Sequence, residues 1–317
     1  MSEHRIPIIL DTDPGHDDAF AIMCALGSEK IDLKGLTTIC GNSVIENTTR
    51  NALRILERTN RTEVPVSKGI SKPMCKPLIY DVAKMYHGES GLDGPEFEEV
   101  TTPLQQTDAV EFIAKTIRES EEKVVLVPVG PLTNIAAFIL SYPELVCRID
   151  KICIMGGLTY TDPNSATAFS EYNIFQDPEA ANVVFQSGLP IIMHSINSTG
   201  LGKIRDEHID EMEFLGNAGK FGKELMLFYR KMFQSINLKY YNICDSHAIC
   251  YLIDPTIYTG RWTHVEMDLT GKYTRAMTIS DLRDQRDETK PANCFVIEDV
   301  DFERYKECMF DCIRKLG

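Results

Sequence analysis

The sequence predicts an α/β fold: one domain over residues 1–317, with a mainly parallel sheet and helices on both faces. Three observations point there. Apolar runs of strand length, such as "IPIIL" and "KVVLVPV", alternate with longer stretches of helical periodicity. These runs are apolar throughout, the mark of strands buried on both faces. No linker-like tract or internal repeat divides the chain, and 43% hydrophobic residues suffice for one large core.

The elements follow in order. "IPIIL" reads as a strand running into the acidic stretch "DTDPGHDD", and "DDAFAIMCAL" as a helix stopped by Gly27. "LKGLTTI" is a strand ending before Gly41-Asn42, "IENTTRNALRILERT" a helix, and "VPV" at 64–66 a short strand. A helix over 107–120 starts at Thr107-Asp108, with Glu111 placed for a capping contact. "KVVLVPV" is a buried strand leading into the helix "GPLTNIAAFIL", with Pro131 early in it. "KICIM" is a strand ending at Gly156-Gly157, "DPEAANVVFQSG" a helix with an acidic start, and "LPIIMHSI" a strand. From 206 to about 236 the pattern is helical. "THVEMDLTGKYTRAMTI" reads as a hairpin, and "CFVIEDVDFERYKECMFDCIRKL" as a last strand and helix. The β-then-α order is Rossmann-like, so a ligand site belongs at the carboxyl ends of the strands. Asp11 to Asp18, Asn42, Val129 and Met155 to Gly157 all fall there.

Composition narrows the partners. The formal charge is −14, from 47 acidic and 33 basic residues. Such a surface repels nucleic acid and anionic membranes. No stretch reaches membrane-spanning length, and the N-terminus lacks a signal-peptide layout. Ten scattered cysteines without a CxxC pair suit reduced thiols in a cytoplasmic protein. Cys308 and Cys312 lie one helical turn apart, but no His or second Cys pair accompanies them as a zinc site requires.

The informative stretch is "ILDTDPGHDDAFAI" at 9–22. Asp11, Asp13, Asp17 and Asp18 crowd one strand end. Neighbouring carboxylates raise one another's pKa unless a cation neutralises them. An all-oxygen cluster suits a hard ion, Ca²⁺ or Mg²⁺, rather than zinc. The spacing is not that of an EF-hand. Acids favoured by a helix N-terminus would account for Asp17 and Asp18, but not for Asp11 and Asp13, which precede Pro14-Gly15.

"DTDPGHDDAFAI" resembles the N-terminal signature of the inosine–uridine-preferring nucleoside hydrolase family. Further matches follow in order: "GN" at 41–42, "HGESGLDG" at 87–94, "GPLTNIA" at 130–136, "MGG" at 155–157, "EYN" then "DPEAA" at 171–181, and "CDSHAICYLIDP" at 244–255. The resemblance implies a Ca²⁺-dependent N-ribohydrolase, acting in nucleoside salvage, that splits ribonucleosides into ribose and free base. It also implies a homo-oligomer, dimer or tetramer.

By the same resemblance Asp17 matches the general base. Asp13, Asp18, Asp245 and the backbone carbonyl of Val129 match the calcium ligands, and Asp11 an outer carboxylate that orients them. Asn42, Asn164, Glu171, Tyr172 and Asn173 match the ribose pocket, with Met155 packed on the sugar. The family spaces its Asn six residues before the Glu; Asn164 is seven before Glu171 and Ser165 is six, so both stay open.

The chain departs from the best-known subgroup at Cys244, where that subgroup has the histidine that protonates the leaving base. Cysteine there suggests a different subgroup. Two candidate donors result: the Cys244 thiol, a weaker acid than imidazolium, and His87, on a glycine-rich segment able to close over the base. His16 is expected to shape its turn, and His247 to be structural. Asn197 stands where the family often has Asp. Phe228, Tyr229 and Phe233 on a helix over 221–236 fit core packing better than base stacking. Two rivals remain. An Asp-based phosphatase shares the D-x-D opening, but wants Thr or Val where Gly15 stands. A non-catalytic nucleoside or ribose sensor would not need Asp17.

Overall fold

The computed structural model describes residues 5–235, 237–283 and 289–317. Twelve strands are present among them. They are β1 (Ile6–Thr12), β2 (Ile31–Thr38), β3 (Val66–Lys68), β4 (Val124–Pro128), β5 (Ile149–Met155), β6 (Ile191–His194), β7 (Lys203–Ile204), β8 (Tyr241–Asn242), β9 (Tyr258–Thr263), β10 (Val265–Met267), β11 (Thr278–Ser280) and β12 (Cys294–Val300). Eight form one sheet in the order β3-β2-β1-β4-β5-β6-β12-β9. Every pairing is parallel except β12 with β9, which closes one edge antiparallel. β10 with β11 and β7 with β8 make two small antiparallel ribbons.

The all-apolar strands explain the layering. Side chains alternate across a sheet, so a strand covered on both faces needs apolar residues at every position. Ile8, Leu10, Val125, Val127, Cys153 and Met155 enter one core, beneath the helices His16–Gly27, Gly216–Ser235, Ser246–Ile253 and Phe302–Arg314. Ile9, Val124, Leu126, Ile152 and Ile154 enter the other, beneath Ala109–Glu119, Thr133–Ser141 and Pro178–Phe185.

Details depart from the expectations. The short strand near 64–66 runs instead over Val66–Lys68. Asp108 caps the helix Ala109–Glu119 through the Glu111 N–H, but the Glu111 carboxylate accepts from the Tyr142 hydroxyl at 2.6 Å instead of turning back to the cap. Pro131 precedes the helix Thr133–Ser141 rather than lying in it. Its missing N–H is harmless there for the same reason as at a first turn. The helix Asp81–His87 and the edge strand β9 carry no clear periodicity and are additions. Ile236, the expected last residue of the 221–236 helix, lies outside the described residues. No described helix is long and apolar enough to cross a membrane.

Candidate active site

At the carboxyl end of β1 the backbone turns directly into the helix His16–Gly27. The first N–H groups of a helix lack intrahelical partners, and Asp18 answers this locally. Its carboxylate accepts from the Gly15 N–H at 2.9 Å, the Asp13 N–H at 3.1 Å and the Thr12 hydroxyl at 2.5 Å. Asp11 is fully buried and held by the Thr37 hydroxyl at 2.6 Å and the Asn134 amide at 2.8 Å. Asp13 accepts from the Asn42 N–H at 2.6 Å. Its carboxylate is so tightly enclosed that a Cβ on Gly41 would lie 2.0 Å from one oxygen, and one on Gly130 2.4 Å from the other. This close approach is why "GN" and "GPLTN" need glycine.

Asp245 reaches the same place from the far end of the sequence, at the start of the helix Ser246–Ile253. Asp17, Asp18 and Asp245 bring carboxylate oxygens within 4.8 Å of one another. Asp13 abuts them through its N–H bond to Asp18. Burial, then the Asp18 charge, raises Asp17 to about 7. Burial, then Asp17 and Asp18, pushes Asp245 well above the usual range, and burial with Asp18 does the same to Asp13. Burial also raises Asp11 and Glu171 to about 7 each.

Asp11, Asp13 and Asp17 each keep one buried oxygen without a partner. Buried acceptors are rarely left so. A cation on the carboxylates would supply both the missing partner and the missing charge. The cluster of Asp17, Asp18 and Asp245 offers only oxygen donors, so a hard divalent ion fits and a soft one does not.

Above this floor opens a pocket. Asp17, Asn42, Val129, Met155, Asn164, Glu171, Tyr172, Asn173, Cys244, Asp245 and His87 all line it, while Asp11, Asp13 and Asp18 lie beneath. Glu171 caps the helix Tyr172–Gln176, accepting from the N–H groups of Asn173, Ile174 and Gly157. The Asn173 amide donates to the carbonyls of Val129 at 2.9 Å and Met155 at 3.1 Å, tying two strand ends together. The Tyr172 hydroxyl donates to the Gly41 carbonyl at 2.9 Å. The Ser165 hydroxyl is engaged by the carbonyls of Asp162 and Thr167, both at 2.6 Å. The neighbouring Asn164 amide has no such bond among the described residues.

The opposite wall is less polar. His87 ends a helix instead of riding on the glycine-rich segment, and the turn after it is closed by Asp93, which accepts from the N–H groups of Glu89 and Ser90. Its Nδ1 accepts from the His16 N–H at 3.2 Å and lies 3.1 Å from His16 Nδ1. His16 Nε2 donates to the Asp93 carbonyl at 2.8 Å. Burial, then His16, holds His87 well below the ordinary histidine range. His16 therefore anchors the His87 segment and is absent from the pocket lining, in line with a role in shaping its turn.

Cys244 carries a thiol raised by burial and by Asp17. Tyr229 and Phe233 line the pocket, whereas Phe228 stacks on His16. Tyr86, beside His87, is a lining residue that sequence reasoning missed, and it also did not single out Thr37 and Asn134, which lie off the pocket and hold Asp11. Asn134 lay within "GPLTNIA" and was legible; Tyr86 was not. His247 stacks on Tyr305 with ring centres 3.7 Å apart, away from the pocket. Asn197 pins the 159–160 turn, accepting from the Thr159 N–H at 2.8 Å.

Known proteins resemble this chain along nearly its whole length. Residues 8–307 match the sequence profile of the inosine-uridine preferring nucleoside hydrolase family. The pyrimidine-specific ribonucleoside hydrolase RihA of Escherichia coli O1:K1 is 40% identical over 314 residues, 98% of each chain, and that of Shigella boydii serotype 4 matches at the same identity and coverage. The purine-preferring ribonucleoside hydrolase from Gardnerella vaginalis superposes with a TM-score of 0.91 at 32% identity, covering 98% of both chains. A plant nucleoside hydrolase, PpNRh1, superposes at 0.87 with 26% identity, covering 97% of this chain and 98% of its own. With the strand-end aspartates, the pocket above them and the sequence motifs all in register, this chain belongs to the inosine-uridine preferring nucleoside hydrolase family.

Proposed function

We propose that the protein is a calcium-dependent ribonucleoside hydrolase in which Asp17 is the general base. One observation carries this reading: Asp17 lines the pocket with an unpartnered buried oxygen, beside a carboxylate floor that fits a hard cation. Calcium held by Asp13, Asp18, Asp245 and the Val129 carbonyl would supply a Lewis-acid centre for the ribose hydroxyls and the attacking water.

Asp17 takes the proton from that water. The Cys244 N–H donates to the Asp17 carboxylate and so orients it. Asn42, Asn164, Glu171, Tyr172 and Asn173 surround the ribose and hold its hydroxyls, with Met155 beneath. Asn164 takes this role in preference to Ser165, whose hydroxyl is engaged elsewhere. As the N-glycosidic bond breaks, positive charge gathers on the sugar, and the carboxylates of Asp17 and Glu171 stabilise it.

For the leaving base, His87 is the donor we favour. Its Nδ1 accepts the His16 N–H, so an acidic proton on this ring would sit on Nε2; burial and His16 keep the free ring neutral, so donation requires the imidazolium form to be reached as negative charge builds on the leaving base. Burial raises the Cys244 thiol and makes it the poorer acid. The cysteine in place of histidine sets the chain in a subgroup in which His87 takes over proton donation. The 40% identity to enzymes named pyrimidine-specific favours pyrimidine ribonucleosides over purine ones. We also infer a cytoplasmic homo-oligomer serving nucleoside salvage. Family membership sets aside the Asp-phosphatase reading, and the position of Asp17 argues against a sensor without turnover.

The test is product analysis with uridine, cytidine, inosine and adenosine, each with calcium and after chelation. Release of ribose and free base, fastest from the pyrimidines and only with calcium, is the expected result. Undiminished activity in rigorously calcium-free protein refutes the metal assignment.

A further inference from the structure

Cys308 and Cys312 gain in three dimensions the second pair that the sequence does not place near them. Cys24 comes from the helix His16–Gly27, Cys250 from Ser246–Ile253, and Cys308 and Cys312 from Phe302–Arg314. The three helices pack on one another. They come close because Gly27 has no side chain: a Cβ there would lie 1.9 Å from the Cys312 carbonyl oxygen. The four cysteines share one apolar core where these helices meet, Cys308 packed against it from its rim, and each thiol acts electrostatically on two others: Cys24 on Cys250 and Cys312, and Cys308 on the same two. All four are free thiols; Cys308 is partly exposed and the other three are buried.

Four thiols could hold a soft metal or be oxidised, and two observations separate these. A tetrahedral zinc site needs all sulfurs roughly 3.8 Å apart, from bonds of about 2.3 Å. Among the described residues, the group that brings three ligand atoms within 4.8 Å of one another is Asp17, Asp18 and Asp245, not any three of these sulfurs. A metal tetrathiolate would also bury net negative charge. The charged groups acting on the cluster are Asp254 and Asp311 at Cys308, and Lys315 at Cys312, which is exposed and paired with Glu29 at 2.8 Å. A disulfide is neutral and needs no counter-charge.

We propose that these four cysteines form a hydroperoxide-sensitive thiol cluster, in which Cys308 reacts first and closes a disulfide with Cys250. Cys308 is the member that solvent reaches. The Cys308 thiolate attacks one peroxide oxygen. The O–O bond breaks, the leaving oxygen takes a proton to become alcohol or water, and Cys308 becomes a sulfenic acid. The Cys250 sulfur then attacks the Cys308 sulfur, the S–O bond breaks, and the hydroxide leaves with the Cys250 proton as water. Two thiols and one hydroperoxide give one disulfide, one alcohol and one water, with two electrons passing from sulfur to oxygen.

Cys250 is the resolving partner because Cys312 cannot be. Residues four apart on a helix have Cβ atoms about 5–6 Å apart, and a disulfide needs about 3.5–4.5 Å. The bond would join the C-terminal helix to the helix that begins at Asp245, so it would brace a wall of the pocket.

The experiment uses the full chain with the exposed Cys75 and Cys147 changed by C75S and C147S, since both would otherwise consume peroxide. Protein is treated with hydrogen peroxide, alkylated under denaturing conditions, digested and analysed by mass spectrometry. A Cys250–Cys308 cross-linked peptide that dithiothreitol removes is expected, with Tm raised by roughly 5 °C or more in the oxidised form. C250A should leave a Cys308 sulfenic acid that dimedone traps, and C308S should give no cross-link. Full alkylation of all four thiols after peroxide, or conversion of Cys308 to a sulfonic acid without a cross-link, overturns the proposal. So does one equivalent of zinc per chain that C308S abolishes.

Discussion

The floor and the far wall of the pocket are built by different rules. The floor is carboxylate and amide: Asp11, Asp13, Asp17, Asp18, Asn42 and Asp245, gathered at strand ends and helix starts, with Asp13 and Asp18 tied to backbone N–H groups within 3.2 Å and Asp11 to side-chain donors. The wall is Tyr86, His87, Tyr229, Phe233 and Cys244, brought from three separate helical or loop segments and packed mainly by apolar contact. Charge requires hydrogen-bond partners at fixed positions, so the floor tolerates little change. Apolar packing accepts many shapes, so the wall is where a family varies its leaving group.

The sharpest way to break this contrast is Asp17→Asn. The amide keeps the shape and loses the base, and kcat is expected to fall by about 10²–10⁴-fold with the fold intact by circular dichroism. Near-normal turnover in the calcium-loaded variant would move the chemistry off the floor. His87→Ala tests the wall. With inosine or uridine it should lose about 10²-fold or more in kcat, while p-nitrophenyl riboside, whose leaving group needs no proton, stays close to normal. Equal loss on both substrates would make His87 a packing residue.

A 2′-deoxyribonucleoside leaves part of the floor unpaired at a cost of roughly 1–3 kcal/mol, so kcat/KM for 2′-deoxyuridine should fall by about 5–150-fold relative to uridine. Equal values would remove the floor's role in reading the sugar. Cys244→Ala should cost under about tenfold in kcat. If it instead shows the split expected of His87, the thiol is the donor.

The last test is of stability against pH. Asp11 and Glu171 are raised by burial from 3.8 and 4.5 to about 7. A raised acid binds more protons folded than unfolded, so its stabilisation is present below pH 4 and disappears as pH rises through 7. Chelated protein should therefore lose Tm between pH 4 and pH 7. A bound cation favours the ionised floor and should flatten that slope. The same slope with and without calcium would show that no cation couples to these carboxylates.

The legibility of the two regions follows the same physics. Asp11 to Asp18 sit within one turn of chain, where the strand-to-helix junction demands acceptors for free N–H groups, so a short motif carries the whole geometry. Asn42, Val129 and Met155 mark other strand ends and could be read from the β-then-α order, whereas Glu171 and Asn173, at the start of a short helix well beyond β5, were reached only through the family motif. Asp245 could be placed only by its motif, since nothing local to "CDSH" says that it meets Asp17 and Asp18.

What the sequence determined alone was the doubly covered sheet, through strands apolar at every position, and the acidic floor, through residues that must answer one another over short spans. Tertiary structure alone decided the rest. It ended a helix at His87 and set that ring against His16, 71 residues away in the chain. It turned Tyr229 and Phe233 toward the pocket although their spacing suited a core equally well. It gathered Cys24, Cys250, Cys308 and Cys312 into one cluster. Contacts between distant helices depend on how whole elements pack, and apolar side chains specify that packing only in sum; no local stretch of sequence carries it.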